Sequence, residues 1–236
     1  RIITPLKDRF GSQIRTHYPL EVSTEVAIMR QESRSPSVGD ITVRVPDYLE
    51  DVIANFSQAA RGSSNINQRS GVSVRLTVSN YEVLCANALR RALHSGEREV
   101  VPRVCDLEAL PASTLGKVEI EALEEGREGA IVEQLLRGAV LTVFKERVPF
   151  DQYREVITAF EEGVVAHVGE DLSSSEEAGL LEQVPSLRAA VATLAGGDES
   201  PAGLASAVEF VLEGLHLSKR LNKDASGGRA TYRSRS

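Results

Sequence analysis

Two arginine-bearing strings hold the residues of greatest chemical potential in this 236-residue chain. The first is Leu6-Lys7-Asp8-Arg9-Phe10-Gly11 and the second is Gly71-Val72-Ser73-Val74-Arg75-Leu76. A guanidinium is planar, permanently charged and able to direct two hydrogen bonds at one oxyanion. Such a group stabilises the negative charge that spreads over phosphoryl oxygens during transfer. Arg75 has a further advantage, because a helix opening near Ser73 sets free backbone N–H groups and the positive end of a dipole beside it. Each string also has a plain structural reading. An Asp–Arg pair suits any surface turn, where it contributes little, and Ser73 suits an ordinary N-cap with Arg75 in solvent.

No other constellation competes. Cys85 and Cys105 lie in apolar, helix-periodic surroundings without metal or redox spacing, and read as buried thiols of a reducing compartment. His17, His94, His167 and His216 share no ligand spacing. Thr114-Leu115-Gly116-Lys117 ends like a phosphate loop. However, Pro111 stands where its first glycine belongs, and Val118 where Ser or Thr must hold magnesium, so it reads as a turn. The acidic run Glu119, Glu121, Glu124, Glu125 reads as a solvated face. Nowhere does Gly-x-x-x-x-Gly-Lys-Ser/Thr occur, and no apolar strand ends in Asp-Glu.

A net charge of -7 argues against a general nucleic-acid surface, which needs an excess of Lys and Arg to neutralise phosphates. No apolar run reaches membrane-spanning length and no signal-peptide pattern opens the chain, so no membrane association is expected and a cytoplasmic location follows by default. The first residue is Arg1 and the single methionine is Met29, from which the chain is expected to be cut from something longer.

The elements that must position the two arginines follow from periodicity. Gln13 to Tyr18 is β-branched and closes at Pro19, which predicts a short strand. A helix is expected over about 24–32, and an alternating strand over Ile41–Val45 stopped by Pro46. Asp47 as N-cap, then Leu49, Val52, Ile53, Phe56 and Ala60, predicts an amphipathic helix. A second helix runs from near Ser73 to the His94-Ser95-Gly96 stop, and a short one covers Val104 to Leu110. Ala130 to Glu146 is apolar on more than one face, hence packed on more than one side. Further helices are expected at about 150–168, 174–183, 186–195 and 201–221. From Asn222 the chain is Gly-, Ser- and Arg-rich, which predicts a flexible tail whose Arg229, Arg233 and Arg235 stay solvated or meet an acidic partner.

Pro5-Leu6 followed by Asp8-Arg9-Phe10-Gly11, then a strand leading to a helix, resembles the segment after the sensor-1 strand in AAA+ ATPases. The likeness is strongest to the magnesium-chelatase I-subunit and MoxR-like branch. Gly71 to Arg75 resembles that family's sensor-2 helix start, and Arg98-Glu99-Val100-Val101-Pro102 resembles the close of its lid. The resemblance spans about residues 1–110. Lys7 departs from the usual leucine, and Ile3 stands where the family has an arginine. The resemblance implies that Arg9 is an arginine finger donated to a neighbouring subunit's ATP, that Asp8 orients it, and that Arg75 binds nucleotide in cis. It implies ATP and Mg2+ in the intact protein, a homo-oligomeric ring (commonly a hexamer), and a partner bearing a von Willebrand A domain. The fold it implies is mainly α: the end of an AAA+ α/β core at 1–45 and a helical lid at 46–110. An acidic connection and apolar helix at 111–148, a C-terminal helical region at 149–221 and a flexible tail at 222–236 complete it. The chain would be the downstream portion of an ATPase that drives remodelling or metal insertion in a partner, inactive alone for want of a phosphate loop. A non-catalytic helical adaptor or scaffold is the alternative, since it needs only amphipathic faces, an acidic patch and a flexible tail.

Overall fold

A computed structural model describes residues 8–12, 14, 16–121 and 126–235. Helix dominates, with two small sheets. Helix α1 (Val22–Glu32) turns its Glu25, Val26 and Met29 inward. The two-residue strands β1 (Ser37–Val38) and β2 (Ile41–Thr42) pair antiparallel and lead to α2 (Asp47–Gly62). The strand expected over Ile41–Val45 therefore ends early. Val43 makes only a parallel bridge to Val100, and Pro46 takes the cap position of α2. Asp47 is the first helical residue rather than the cap, and its carboxylate accepts from Arg30 Nη2 at 2.8 Å.

The next long helix, α3 (Arg75–Ser95), ends at Gly96 in the left-handed conformation. A 3-10 turn (Val104–Ala109) runs into the short α4 (Leu110–Thr114), and residues 115–117 form the turn that the near-miss phosphate string suggested. Helix α5 (Glu128–Arg147) packs chiefly against α2. Its two apolar faces serve two neighbours, because the later helix Pro201–Leu217 lies against it as well.

The strand expected over Gln13–Tyr18 is not found where the chain is described. Gln13 and Arg15 lie outside the described residues, and Ile14, Thr16, His17 and Tyr18 join no ladder. Ile14 is 89% exposed. A β-branched segment becomes a strand only with a partner to share its hydrogen bonds, and no described residue supplies one.

The last third differs most from expectation. Helix α6 (Phe150–Glu161) stops seven residues short, because Gly163 and the β-branched Val164-Val165 break it. The chain continues as β3 (Ala166–Gly169), whose Ala166 and Val168 face inward while His167 faces out. Helices α7 (Ser174–Ala178), α8 (Leu180–Gln183), α9 (Arg188–Ala195) and α10 (Pro201–Leu217) follow. The flexible tail is instead a hairpin of β4 (Leu221–Ser226) and β5 (Arg229–Ser234). It turns at Gly227-Gly228, where φ values of 60° and 79° give the left-handed backbone conformation that a two-residue hairpin turn needs to match the right-handed twist of its strands. The sheet order is β3-β5-β4, antiparallel throughout.

Helix α10 lies at the centre. Ser200 caps it by accepting from Gly203 N–H at 3.1 Å, Pro201 opens it, and nearly every residue from Ala202 to Leu215 is buried. Its Phe210 ring sits 4.7 Å from that of Tyr48 and 6.5 Å from that of Phe144. One apolar cluster extends from Val26 to Tyr232. Among the described residues no helix is long and apolar enough to cross a membrane.

Tyr232, 2% exposed, anchors the hairpin and donates its hydroxyl to Glu213 on α10 at 2.6 Å. Tyr232→Ala is expected to lower the free energy of urea unfolding by about 3–5 kcal/mol, as for other large-to-small core changes. Tyr232→Phe is expected to cost about 1–3 kcal/mol by removing a donor from a buried carboxylate. A tail without fixed structure would leave both variants indistinguishable from the parent.

Candidate functional site

The loop before α3 is built around Gly71. Its φ of 72° lies in the left-handed region, and the Tyr18 hydroxyl occupies the place where a β-carbon on residue 71 would stand. Both features exclude a side chain there. Arg61, in the last turn of α2, holds this loop from below. Its Nε donates to the Val72 carbonyl at 3.0 Å, its two terminal nitrogens fork onto Glu25 of α1, and its guanidinium lies 4.9 Å from the Tyr18 ring centroid. Glu25 is fully buried and also accepts from Thr77 of α3, whose hydroxyl lies 2.8 Å from that of Ser57 on α2. One bidentate ion pair thereby fastens α1, α2 and α3 beneath the loop.

Above this brace stands Arg75, exposed, in the first turn of α3, with its backbone N–H donating to Ser73 Oγ at 3.3 Å. Asp8 and Arg9 occupy an exposed turn. Among the described residues Asp8, Arg9 and Arg75 share no hydrogen bond or ion pair with one another. Tyr18, nine residues after Arg9, packs on the loop that launches Arg75. Ile3 and Lys7, where the first string departs from the family pattern, lie outside the described residues, as do Glu124 and Glu125 of the acidic run.

A second concentration of charge is buried. Arg91 of α3, its side chain 2% exposed, binds Asp106 through Nη2 at 3.0 Å and Nε at 3.2 Å, and donates to the Val101 carbonyl. Arg103, fully buried, donates to the Leu172 carbonyl at 3.0 Å and to Ser174 Oγ at 2.7 Å, and lies 3.1 Å from Glu177 Oε2. Glu177 accepts from Gly169 N–H at 2.8 Å. Glu209 of α10 accepts from Cys105 N–H at 3.0 Å, with the Cys105 sulfur 3.5 Å from its other oxygen. Glu97 lies 3.7 Å from both arginines.

Two guanidiniums thus face three buried carboxyl groups, those of Asp106, Glu177 and Glu209, with the partly exposed Glu97 at the edge. An unbalanced buried charge costs several kcal/mol, so the cluster retains a proton instead. The Glu177 carboxyl is pushed up to about 10, by burial first and by Glu209 second, against the opposing pull of Arg103. Burial and Glu209 likewise raise the Cys105 thiol, and burial raises Cys85 to about 11, so neither cysteine is a thiolate nucleophile. A cleft of about 580 Å³ opens beside the cluster between the 3-10 turn, α5, α10 and β4, with Leu107, Leu136, Glu108, Glu213 and Lys223 among its walls. A smaller one of about 190 Å³ reaches Cys105 and Glu209 under the hairpin. Lys223 Nζ meets Glu213 at 2.8 Å between them. Among the described residues no group of three or more His, Cys, Asp or Glu is arranged to hold a metal ion.

The buried cluster is a cross-brace between α3, the 97–106 segment, α7 and α10, and the sequence offers one sign of it. Glu209 and Glu213 interrupt the otherwise apolar middle of α10, four residues apart and hence on one face. Comparison with protein-family models, with curated proteins and with solved structures finds no match to this chain.

Glu177 gives a direct measure of the brace. Its folded-state carboxyl binds a proton that the unfolded chain, with an ordinary value of 4.5, releases. Stability therefore falls as pH rises between those limits, by at most about 1.4 kcal/mol per pH unit. Glu177→Gln removes that titration. Its melting temperature is expected to gain on the parent steadily from pH 5 to pH 9, and a constant difference across that range would contradict the shared-proton account.

Proposed function

We propose that this chain is the arginine-supplying, downstream part of an oligomeric AAA+ ATPase of the magnesium-chelatase I-subunit or MoxR-like kind. The observation that carries the reading is the placement of its two chemically distinctive arginines. Arg75 projects into solvent from the first turn of a helix whose start is fixed by the Glu25–Arg61 brace. Arg9 lies in an exposed turn nine residues before Tyr18, which packs on the same loop. Helices α2 and α3 and the 3-10 turn, within residues 46–110, support the reading as a lid, since their order after the Asp-Arg-Phe-Gly string follows the family pattern.

On this reading Arg75 reaches the phosphates of a nucleotide bound by its own polypeptide, where a helix start and a guanidinium act together on the same charge. Arg9 reaches across a subunit boundary to the transferring phosphoryl group, with Asp8 orienting it, so hydrolysis waits on assembly of the ring. The phosphate loop and the Mg2+ ligands belong to the remainder of the intact protein. The exposed apolar side chains Phe10 and Ile14 fit the same reading, because the α/β core that would precede them supplies a surface to cover them. The work done with the hydrolysis energy is remodelling of, or metal insertion into, a partner protein or complex, with a von Willebrand A domain protein as the candidate partner and a homo-hexameric cytoplasmic ring as the assembly.

Steady-state hydrolysis by the intact protein tests the assignment. Arg9→Ala is expected to reduce kcat by about 10³-fold or more while leaving nucleotide binding within a few-fold. Arg75→Ala is expected to weaken both. The 236-residue chain alone is expected to show no micromolar ATP affinity in a titration. Normal turnover by the Arg9 variant would remove the finger assignment, whereas absence of hydrolysis by the intact parent would leave the adaptor reading in place.

A further inference from the structure

We infer that the cleft of about 580 Å³ between the 3-10 turn, α5, α10 and β4 binds a small organic ammonium ion with an apolar body, the charge of the ligand meeting Glu108. Neither Arg9 nor Arg75 lines this cleft, so the inference stands apart from the nucleotide reading.

The cleft falls within the range of roughly 300–1,000 Å³ usual for small-molecule sites. Leu107, Leu136, Val140 and Leu217 supply its apolar wall. The first three belong to the main core cluster, so packing rather than a loop sets the shape of that wall.

The cations around the cleft are already answered. Arg137 pairs with Glu133 one helical turn before it on α5, and Lys223 Nζ meets Glu213 at 2.8 Å. Arg229, in the adjoining smaller cleft, is held by Asp171. Glu108 is the exception. It lines both clefts, yet among the described residues it makes no hydrogen bond and no ion pair. Burial raises its carboxyl above the usual value, and Glu170, Glu213 and Glu209 add to this against the pull of Lys223. His216 offers a second open acceptor. Its Nδ1 lies 3.2 Å from the Leu221 carbonyl, which can only accept, so Nδ1 carries the proton and Nε2 of the neutral ring is left as an acceptor.

What stays unspent on the cleft wall is therefore acceptor rather than donor. An anion would have to break an existing ion pair to find a partner. A neutral apolar molecule would withdraw the Glu108 carboxylate further from water with nothing in return. An ammonium ion relieves that carboxylate while its hydrocarbon part covers the leucine wall.

Chemical-shift titration of the 236-residue chain with phenylbutylammonium, phenylbutanol and phenylbutyrate tests the inference. The ammonium ion is expected to bind with a Kd of about 1 mM or below, the alcohol about fivefold more weakly, and the carboxylate not measurably. Glu108→Gln, a change at an exposed position, is expected to bring the ammonium ion down to the affinity of the alcohol and leave the alcohol unaffected. Ala225 is exposed, lines the cleft and shares the strand face of Lys223, so Ala225→Trp is expected to fill the cleft and abolish binding of both. If the tryptophan variant does not fold, the glutamine variant decides alone. Equal affinity for ammonium ion and alcohol in the parent, or an ammonium preference that survives Glu108→Gln, overturns the role of Glu108. Parent-like binding in a folded Ala225→Trp overturns the location. A short lysine-containing peptide with blocked ends that binds more tightly than phenylbutylammonium overturns the small-molecule assignment.

Discussion

Burial of α10 on all sides is the constraint around which the rest of the molecule is arranged. A helix in that position is expected to be apolar all round, yet this one carries Glu209 and Glu213 inward. Both carboxyls are largely withdrawn from water, so each draws its hydrogen bonds from other elements. Cys105 N–H answers Glu209, and Lys223 with Tyr232 answers Glu213. The 3-10 turn and the C-terminal hairpin are thereby fixed in place by the needs of two side chains on one helix. Breaking any of these contacts leaves a buried carboxyl unanswered, which costs more than the contact itself contributes.

Two sets of arginines stand at opposite extremes of surroundings, apart from the ion-paired ones of the surface such as Arg147 and Arg229. Arg61, Arg91 and Arg103 are committed to carboxylates and carbonyls inside the protein, where they join elements far apart in sequence. Arg9 and Arg75 stand in solvent at the other extreme. The same planar group acts as a brace when its donors are used internally and as a recognition group when they are free. Arg75 is presented from the start of a helix that the Arg61–Glu25 and Arg91–Asp106 pairs both hold.

Helices were the legible part. The 3.6-residue pattern of Leu49, Val52, Ile53, Phe56 and Ala60 is local information, and α2 appears within two residues of its expected end. Strand β3 and the hairpin were not legible, for two physical reasons. Their pairing joins residue 166 to residue 232, so nothing near either strand announces the partner. Small and polar residues also carry the alternation in β5, where Ala230 and Tyr232 turn inward between outward Arg229 and Arg233, and a composition of Gly, Ser and Arg hides it. The candidate site shows the same split. Arg9 and Arg75 are recognisable from their neighbours in sequence, but nothing local distinguishes Arg103 as a buried brace from Arg75 as an exposed one. Tyr18 and Gly71 meet only through tertiary contact.

The order in which the chain leaves the ribosome gives the central sheet a further meaning. Strand β5 is the middle strand of three, bonded to β3 on one side and β4 on the other, and it is made after both. Until residue 232 has been synthesised, β3 has no ladder partner and Glu213 has neither its tyrosine nor its place beneath the hairpin. The helices upstream form as they emerge, but the core cannot be sealed stepwise. Nascent chains stalled before this point leave the Glu213 face of α10 uncovered beside an unpaired strand edge, a combination open to chaperones and proteases.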